Sequence, residues 1–150
     1  MPPWKRWTDD DGSASLEFVT AGMILLVPIV YLVLTMSAIQ AAALAVEGAA
    51  RQAVRVFVQA EDVGSAQAAA IRAVEFALAD HGIDTPAADI TVSCSPRPGA
   101  CLTRQGFVTV TVSMAVPLPL VPPVLQGSFP LEIPLGATAT QQVSRFWGSG

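Results

Sequence analysis

The sequence predicts an α+β fold. An N-terminal transmembrane helix continues into a long amphipathic stalk helix, followed by a second helix and a small antiparallel sheet with one disulfide hairpin. Three observations carry this. From Phe18 to Val46 there is no charged residue; apolar residues then recur at helical spacing as far as Leu78; after Asp89 the pattern changes to strict alternation. The 150 residues have room for one modest domain plus an anchor, and the 52% hydrophobic, 13% charged composition is unlike that of an ordinary soluble protein.

The first element is the span. Phe18 to Ile39 is almost wholly apolar, and at about 1.5 Å per residue it can cross a hydrocarbon core of roughly 30 Å. A cleaved secretory signal has an apolar region of only about 7 to 15 residues, so this run reads as a membrane helix. Pro28 would interrupt a soluble helix but is tolerated in a spanning one. Trp4 and Trp7 precede the run and suit an interfacial aromatic belt.

The helix is expected to continue to about Gln59. Val46, Ala50, Ala53 and Phe57 share one face, while Glu47, Arg51 and Arg55 fall on another. "AEDVGS" interrupts the pattern, and Ser65 is the expected cap of a second helix with Ile71, Val74 and Leu78 on its buried face and Arg72, Glu75 and Ala79 opposite. Gly82 suits its C-terminal cap. Ile90, Val92 and Cys94 alternate with Thr91 and Ser93, and Val108, Val110, Val112, Met114 and Val116 alternate with Thr109, Thr111 and Ser113, which predicts two strands. Six prolines (Pro117, Pro119, Pro122, Pro123, Pro130 and Pro134) then favour an extended or loop path, and a last strand is expected from about Leu135 to Val143. A three-stranded sheet with one apolar face needs a cover, and the second helix and the outer half of the stalk are the available ones.

A net charge of −4 with only eight scattered Lys and Arg residues argues against nucleic acid as a partner. Cys94 and Cys101 bracket the Pro- and Gly-rich "SPRPGA", the composition of a turn that a disulfide can close. Two Cys and the distant His81 cannot furnish four metal ligands, so neither a metal nor a cofactor is expected. The bridge implies an oxidising compartment for everything after the span, and hence a cytoplasmic N-terminus and an extracytoplasmic C-terminal domain. Lys5 and Arg6 before the span and Arg51 and Arg55 after it leave the positive-inside count near a tie, tilted the same way by the α-amino group. Catalytic constellations are absent from the pattern: His81 reads as a helix-end residue, Asp80, Asp84 and Asp89 as turn carboxylates that match no calcium loop, and no phosphate loop or nucleophile elbow occurs. The expected class is a structural or interaction protein rather than an enzyme.

One carboxylate stands out. In "GSASLEF", Glu17 sits at the edge of the apolar run, where a charge is costly unless something neutralises it. Gly12, four residues, Glu17 and then a hydrophobic helix resemble the class III, type IV pilin-like signal. That resemblance implies cleavage by a prepilin peptidase between Gly12 and Ser13, with Glu17 kept as an assembly carboxylate able to pair with the new N-terminal amine of a neighbouring subunit. The leader departs from the pattern in carrying Asp9, Asp10 and Asp11 where basic residues are usual. Together with "VEGAARQAVR", the Cys-to-Cys hairpin and "FVTVTVSMAVPLPL", the motif is similar to the TadE family of tight-adherence pilus proteins over Gly12 to about Arg145.

Membership implies a minor pseudopilin or assembly factor of a Flp-type pilus and secretion system, whose partners are the lipid bilayer, a prepilin peptidase and other pilus subunits met through the N-terminal helix. With that cut, the chain is expected to divide into a cytoplasmic leader at 1–12, a transmembrane and stalk helix at 13–59, an extracytoplasmic α+β domain at 60–145 and a tail at 146–150 that the terminal "GSG" marks as disordered. The alternative is a generic single-pass membrane protein whose outer domain binds a partner or the cell wall, with Glu17 incidental and the N-terminus left intact.

Overall fold

The computed structural model describes residues 13–83, 88–119 and 132–148. Trp4, Lys5, Arg6, Trp7, the three leader aspartates, Gly12, Asp84, Pro122, Pro123 and Pro130 therefore lie outside the described residues. The chain divides into two units, with the boundary between Met36 and Ser37. Helix α1 (Ser13–Gln59) passes through both.

In the first unit every side chain from Ala14 to Leu34 is exposed, and Pro28 lies inside the helix. By length and composition α1 can cross a membrane. Large aliphatic side chains on all sides of a helix need an apolar surrounding, and no described segment of the first unit supplies one.

In the second unit α1 behaves as an amphipathic helix. Val46, Ala50, Ala53 and Phe57 are buried as expected, and Ala42, Ala45, Ala49, Val54 and Val58 widen the stripe. Five of these nine are alanine, whose small side chain lets a neighbouring element approach the helix axis closely. On the wet side Arg51 bonds Glu47 one turn away; both are exposed, so the pair adds only tenths of a kcal/mol.

Helix α2 (Val63–Ala79) is capped by Asp62, which corrects the expectation for Ser65. The Ser65 N–H donates to Asp62 Oδ1 at 2.9 Å, and the Ser65 hydroxyl lies 2.8 Å from Oδ2. Ser65 is thus the third helical residue of a reciprocal capping box, with serine where Glu or Gln is usual. These bonds hold the exposed Asp62 carboxyl below its ordinary pKa, the Ser65 backbone N–H contributing most and its hydroxyl next.

The buried row of α2 is Ala66, Ala70, Val74 and Leu78. Val74 and Leu78 were expected there, but Ile71 is 46% exposed. A stripe at intervals of four residues puts alanines, not the larger Ile71, toward the core. At the other end Gly82, at φ +68°, donates to the Ala79 carbonyl, and the Ile83 N–H reaches back to Leu78. This pair of bonds is a Schellman termination, which a left-handed glycine permits without strain.

Strands β1 (Ala88–Ser95), β2 (Phe107–Pro117) and β3 (Glu132–Gln142) form one antiparallel sheet in the order β1-β2-β3. On the central strand Val108, Val110, Val112 and Met114 point into the core, matching the period-2 signal. The register aligns Thr91, Thr111 and Thr138 in one row of the opposite face and Ser93, Thr109 and Thr140 in the next. Hydroxyls join β2 to β3 in both rows, at 2.8 Å between Thr109 and Thr140 and 3.0 Å between Thr111 and Thr138.

Strand β3 starts three residues before the expected Leu135 and contains Pro134. An edge strand admits proline because half its N–H groups point away from the sheet. Its regular pairing ends at Gln142, yet the Val143 N–H still donates to the Gly106 carbonyl at 2.8 Å. The core joins α1, α2 and the inner sheet face, with Phe57, Leu78, Val74 and Val110 among its fully buried residues; the helices provide the cover the sheet needs.

Candidate functional site

The first candidate lies at the start of α1. Ser13 opens the helix and Glu17 is its fifth residue, about 6 Å along the axis. The Glu17 side chain is exposed and makes no hydrogen bond or ion pair with another described residue, while Phe18 beside it is 80% exposed. The local backbone is otherwise satisfied: the Thr20 hydroxyl donates to the Leu16 carbonyl at 2.7 Å. An exposed carboxylate among exposed Leu16, Phe18 and Val19 is costly to bring into hydrocarbon unless an opposite charge neutralises it. Ser13 is described in backbone only and Gly12 lies outside the described residues, so the two halves of the expected cleavage site are not placed together.

The second feature is the disulfide. Cys94 and Cys101 are bonded, with their Cα atoms 5.0 Å apart, as the Pro- and Gly-rich spacing predicted. Cys94 is the last inward residue of β1. The bridge folds the loop back on the end of that strand, where the Ala100 N–H donates to the Arg97 carbonyl at 3.1 Å. The connection to β2 then turns tightly at Gly106, where a Cβ would lie 2.7 Å from Thr103 Oγ1 and 3.0 Å from the Thr103 carbonyl oxygen.

The sequence reading did not identify the role of Trp147. Residues 145–148 form a turn, which corrects the expectation of a disordered tail for Phe146, Trp147 and Gly148. Trp147 packs against the core, its indole N–H donates to the Ala60 carbonyl at 2.9 Å, and its own carbonyl accepts from Arg104 Nε at 2.9 Å. One residue, through its indole and its backbone carbonyl, thus ties the α1–α2 corner to the loop beyond the disulfide. The usable signal was an indole shortly after the last strand, since a half-buried Trp needs a partner for its N–H.

His81 is exposed at the turn after α2, and Asp80 and Asp89 are exposed as well. Among the described residues no three His, Cys, Asp or Glu side chains come together as metal ligands. A groove runs between α2 and β1, lined by Gln67, Ala70, Ile71, Ala88, Ile90 and Val92. It has no titratable side chain in its wall, so its chemistry is that of contact rather than of proton transfer.

Fold and sites together define an α+β domain carried on a helix long and apolar enough to span a membrane. Comparisons of the chain with protein-family models, with curated proteins and with solved structures find no match.

Proposed function

We propose that this protein is a membrane-anchored, non-enzymatic minor pseudopilin or assembly factor of a tight-adherence, Flp-type pilus and secretion system. A prepilin peptidase cuts after Gly12, the N-terminus faces the cytoplasm, and the domain from residue 60 onward is extracytoplasmic. The observation that carries this reading is Glu17: an exposed acid with no partner among the described residues, in the second turn of a helix with no other charge until Glu47. After cleavage the amine of Ser13 in a neighbouring subunit supplies the missing positive charge, and such a pair fixes the axial register of packed helices. The Cys94–Cys101 bridge supports the orientation, because disulfides persist in oxidising compartments.

Mass spectrometry of the N-terminal peptide from membrane fractions, with and without a co-expressed prepilin peptidase, tests the reading. A peptide starting at Ser13 is expected with the peptidase; recovery of only the uncut terminus refutes it. Glu17→Ala is expected to leave the fold intact and abolish recovery with other subunits. Unchanged recovery removes the register role.

A further inference from the structure

Sheets manage their edges, and here the two edges are managed differently. The outer edge of β3 carries Glu132 and Pro134, and a proline has no N–H to offer a new strand. The outer edge of β1 carries no proline and no lysine over Ala88–Ser95, its single charge is Asp89 near one end, and no described strand pairs with it. Directly beside it lies the apolar groove of Ile71, Ala70, Ile90 and Val92, in which Ile71 is left 46% exposed. A row of backbone donors and acceptors that no described strand pairs with, flanked by an uncharged groove, is the geometry of strand addition: the edge supplies main-chain bonds, and the groove takes alternate side chains.

We propose that the outer edge of β1 pairs with β1 of a second copy of this chain, the two strands antiparallel and Thr91 on the two-fold axis. The self-complementarity of the segment argues for this occupant. Running A-D-I-T-V-S-C-S against itself about Thr91 sets Ile90 opposite Val92 of the second copy, Ala88 opposite Cys94 and Asp89 opposite Ser93. Each side chain keeps its own face, no like charges oppose one another, and the lone acid meets a hydroxyl. The row Thr138–Thr111–Thr91 then continues into Thr91–Thr111–Thr138 of the second copy, giving a six-stranded sheet. The contact is isologous and closes as a dimer. It uses only the groove and edge between Gln67 and Ser95, so it stands independently of cleavage at Gly12 and of helix packing through Glu17.

The test uses the full chain in native-like membranes. Paired residues place their Cβ atoms about 5 Å apart, so Thr91→Cys is expected to convert at least half of the chain to a disulfide-linked dimer under a mild oxidant, with peptide mapping showing Cys94–Cys101 intact. Thr140→Cys, on β3, is expected to stay monomeric. Adding Ile71→Lys to Thr91→Cys is expected to cut the dimer at least tenfold; both positions are exposed, so the fold is retained. A benzoyl-phenylalanine placed at Gln67 provides a readout without new thiols and is expected to attach to peptide 88–95 of a second chain. A Thr91→Cys chain that remains monomeric, equal dimer from Thr140→Cys, or attachment from position 67 to a different protein each overturns the proposal.

Discussion

Opening the Cys94–Cys101 bridge should loosen the whole α+β domain by a calculable amount. The bonded cysteines are seven residues apart. Loop-closure entropy for a ring of that size gives about 2.4 kcal/mol at 25 °C, with loss of the bridge acting through the unfolded chain. Because 1.4 kcal/mol is a factor of ten, the population of globally opened domain should rise about 50-fold. Reduction is the cleanest perturbation, since it removes no side-chain atom from buried Cys94 or half-buried Cys101. The assay is amide exchange of the full chain in lipid nanodiscs, followed at Val108, Val110 and Val112, the buried centre of the sheet. These amides exchange only when the domain opens, so their protection should fall by the same factor, uniformly across β2. A loss confined to residues 95–103 would show that the bridge orders its own loop and nothing more, and a fall of less than about fivefold at Val110 would refute the entropic account. The same reagents check the compartment: alkylation of both cysteines as free thiols in membranes from the native host would remove the ground for an extracytoplasmic domain.

Three further outcomes follow from single contacts. Trp147→Phe keeps most of the packing but leaves the Ala60 carbonyl without its donor, and should cost about 1 kcal/mol in denaturant unfolding; Trp147→Ala should cost more. Gly106→Ala forces a methyl to within 3.0 Å of the Thr103 carbonyl, and since the backbone there cannot rotate away as a hydroxyl can, a loss of about 1 to 3 kcal/mol is expected in the same measurement. Asp62 has its pKa lowered by folding, so its stabilisation is complete above the ordinary carboxylate value near 4 and is lost as pH falls through the lower folded value. Acid titration of the wild type followed at α2 should show that loss, and Asp62→Asn should flatten it.

Where side-chain chemistry repeats with a period, the chain was readable in advance. The alternation of β2 and the face of α1 containing Val46, Ala50, Ala53 and Phe57 appear where expected. Readings failed where a residue type can play two parts. Alanine is nearly neutral in hydrophobic bookkeeping, so Ala66 and Ala70 gave no hint that they, rather than Ile71, face the core. Asp62 and Ser65 are both good caps three residues apart, and reciprocal bonding rather than preference decides between them. Pro134 argued against a strand until β3 proved to be an edge. The bond from Trp147 to Ala60 joins residues 87 positions apart, a distance no local pattern reports. For the candidate site, the isolation of Glu17 was plain from the sequence, because a single acid in an uncharged run needs no tertiary information to be seen.

The two halves of α1 use opposite ways of satisfying an apolar helix. Between Ala14 and Leu34 the side chains are mostly large, include Ile24, Leu25, Leu26, Ile29 and Leu32, and are exposed on every side; a helix of that kind is at rest only in hydrocarbon or against other such helices. From Ala42 to Val58 the helix narrows its apolar surface to a stripe dominated by alanine and buries it against its own domain. Had the large residues continued, they would have overfilled the core that this stripe now shares with α2 and the sheet; had the alanines begun earlier, α1 would have lost most of the apolar area that makes it able to span a membrane. The change in residue size between Leu34 and Ala42 therefore separates a stretch apolar enough to span a membrane from a stretch that builds the core of a domain, within one continuous helix. It leaves Glu17, in the second turn of α1, as an acid whose charge no other described residue answers.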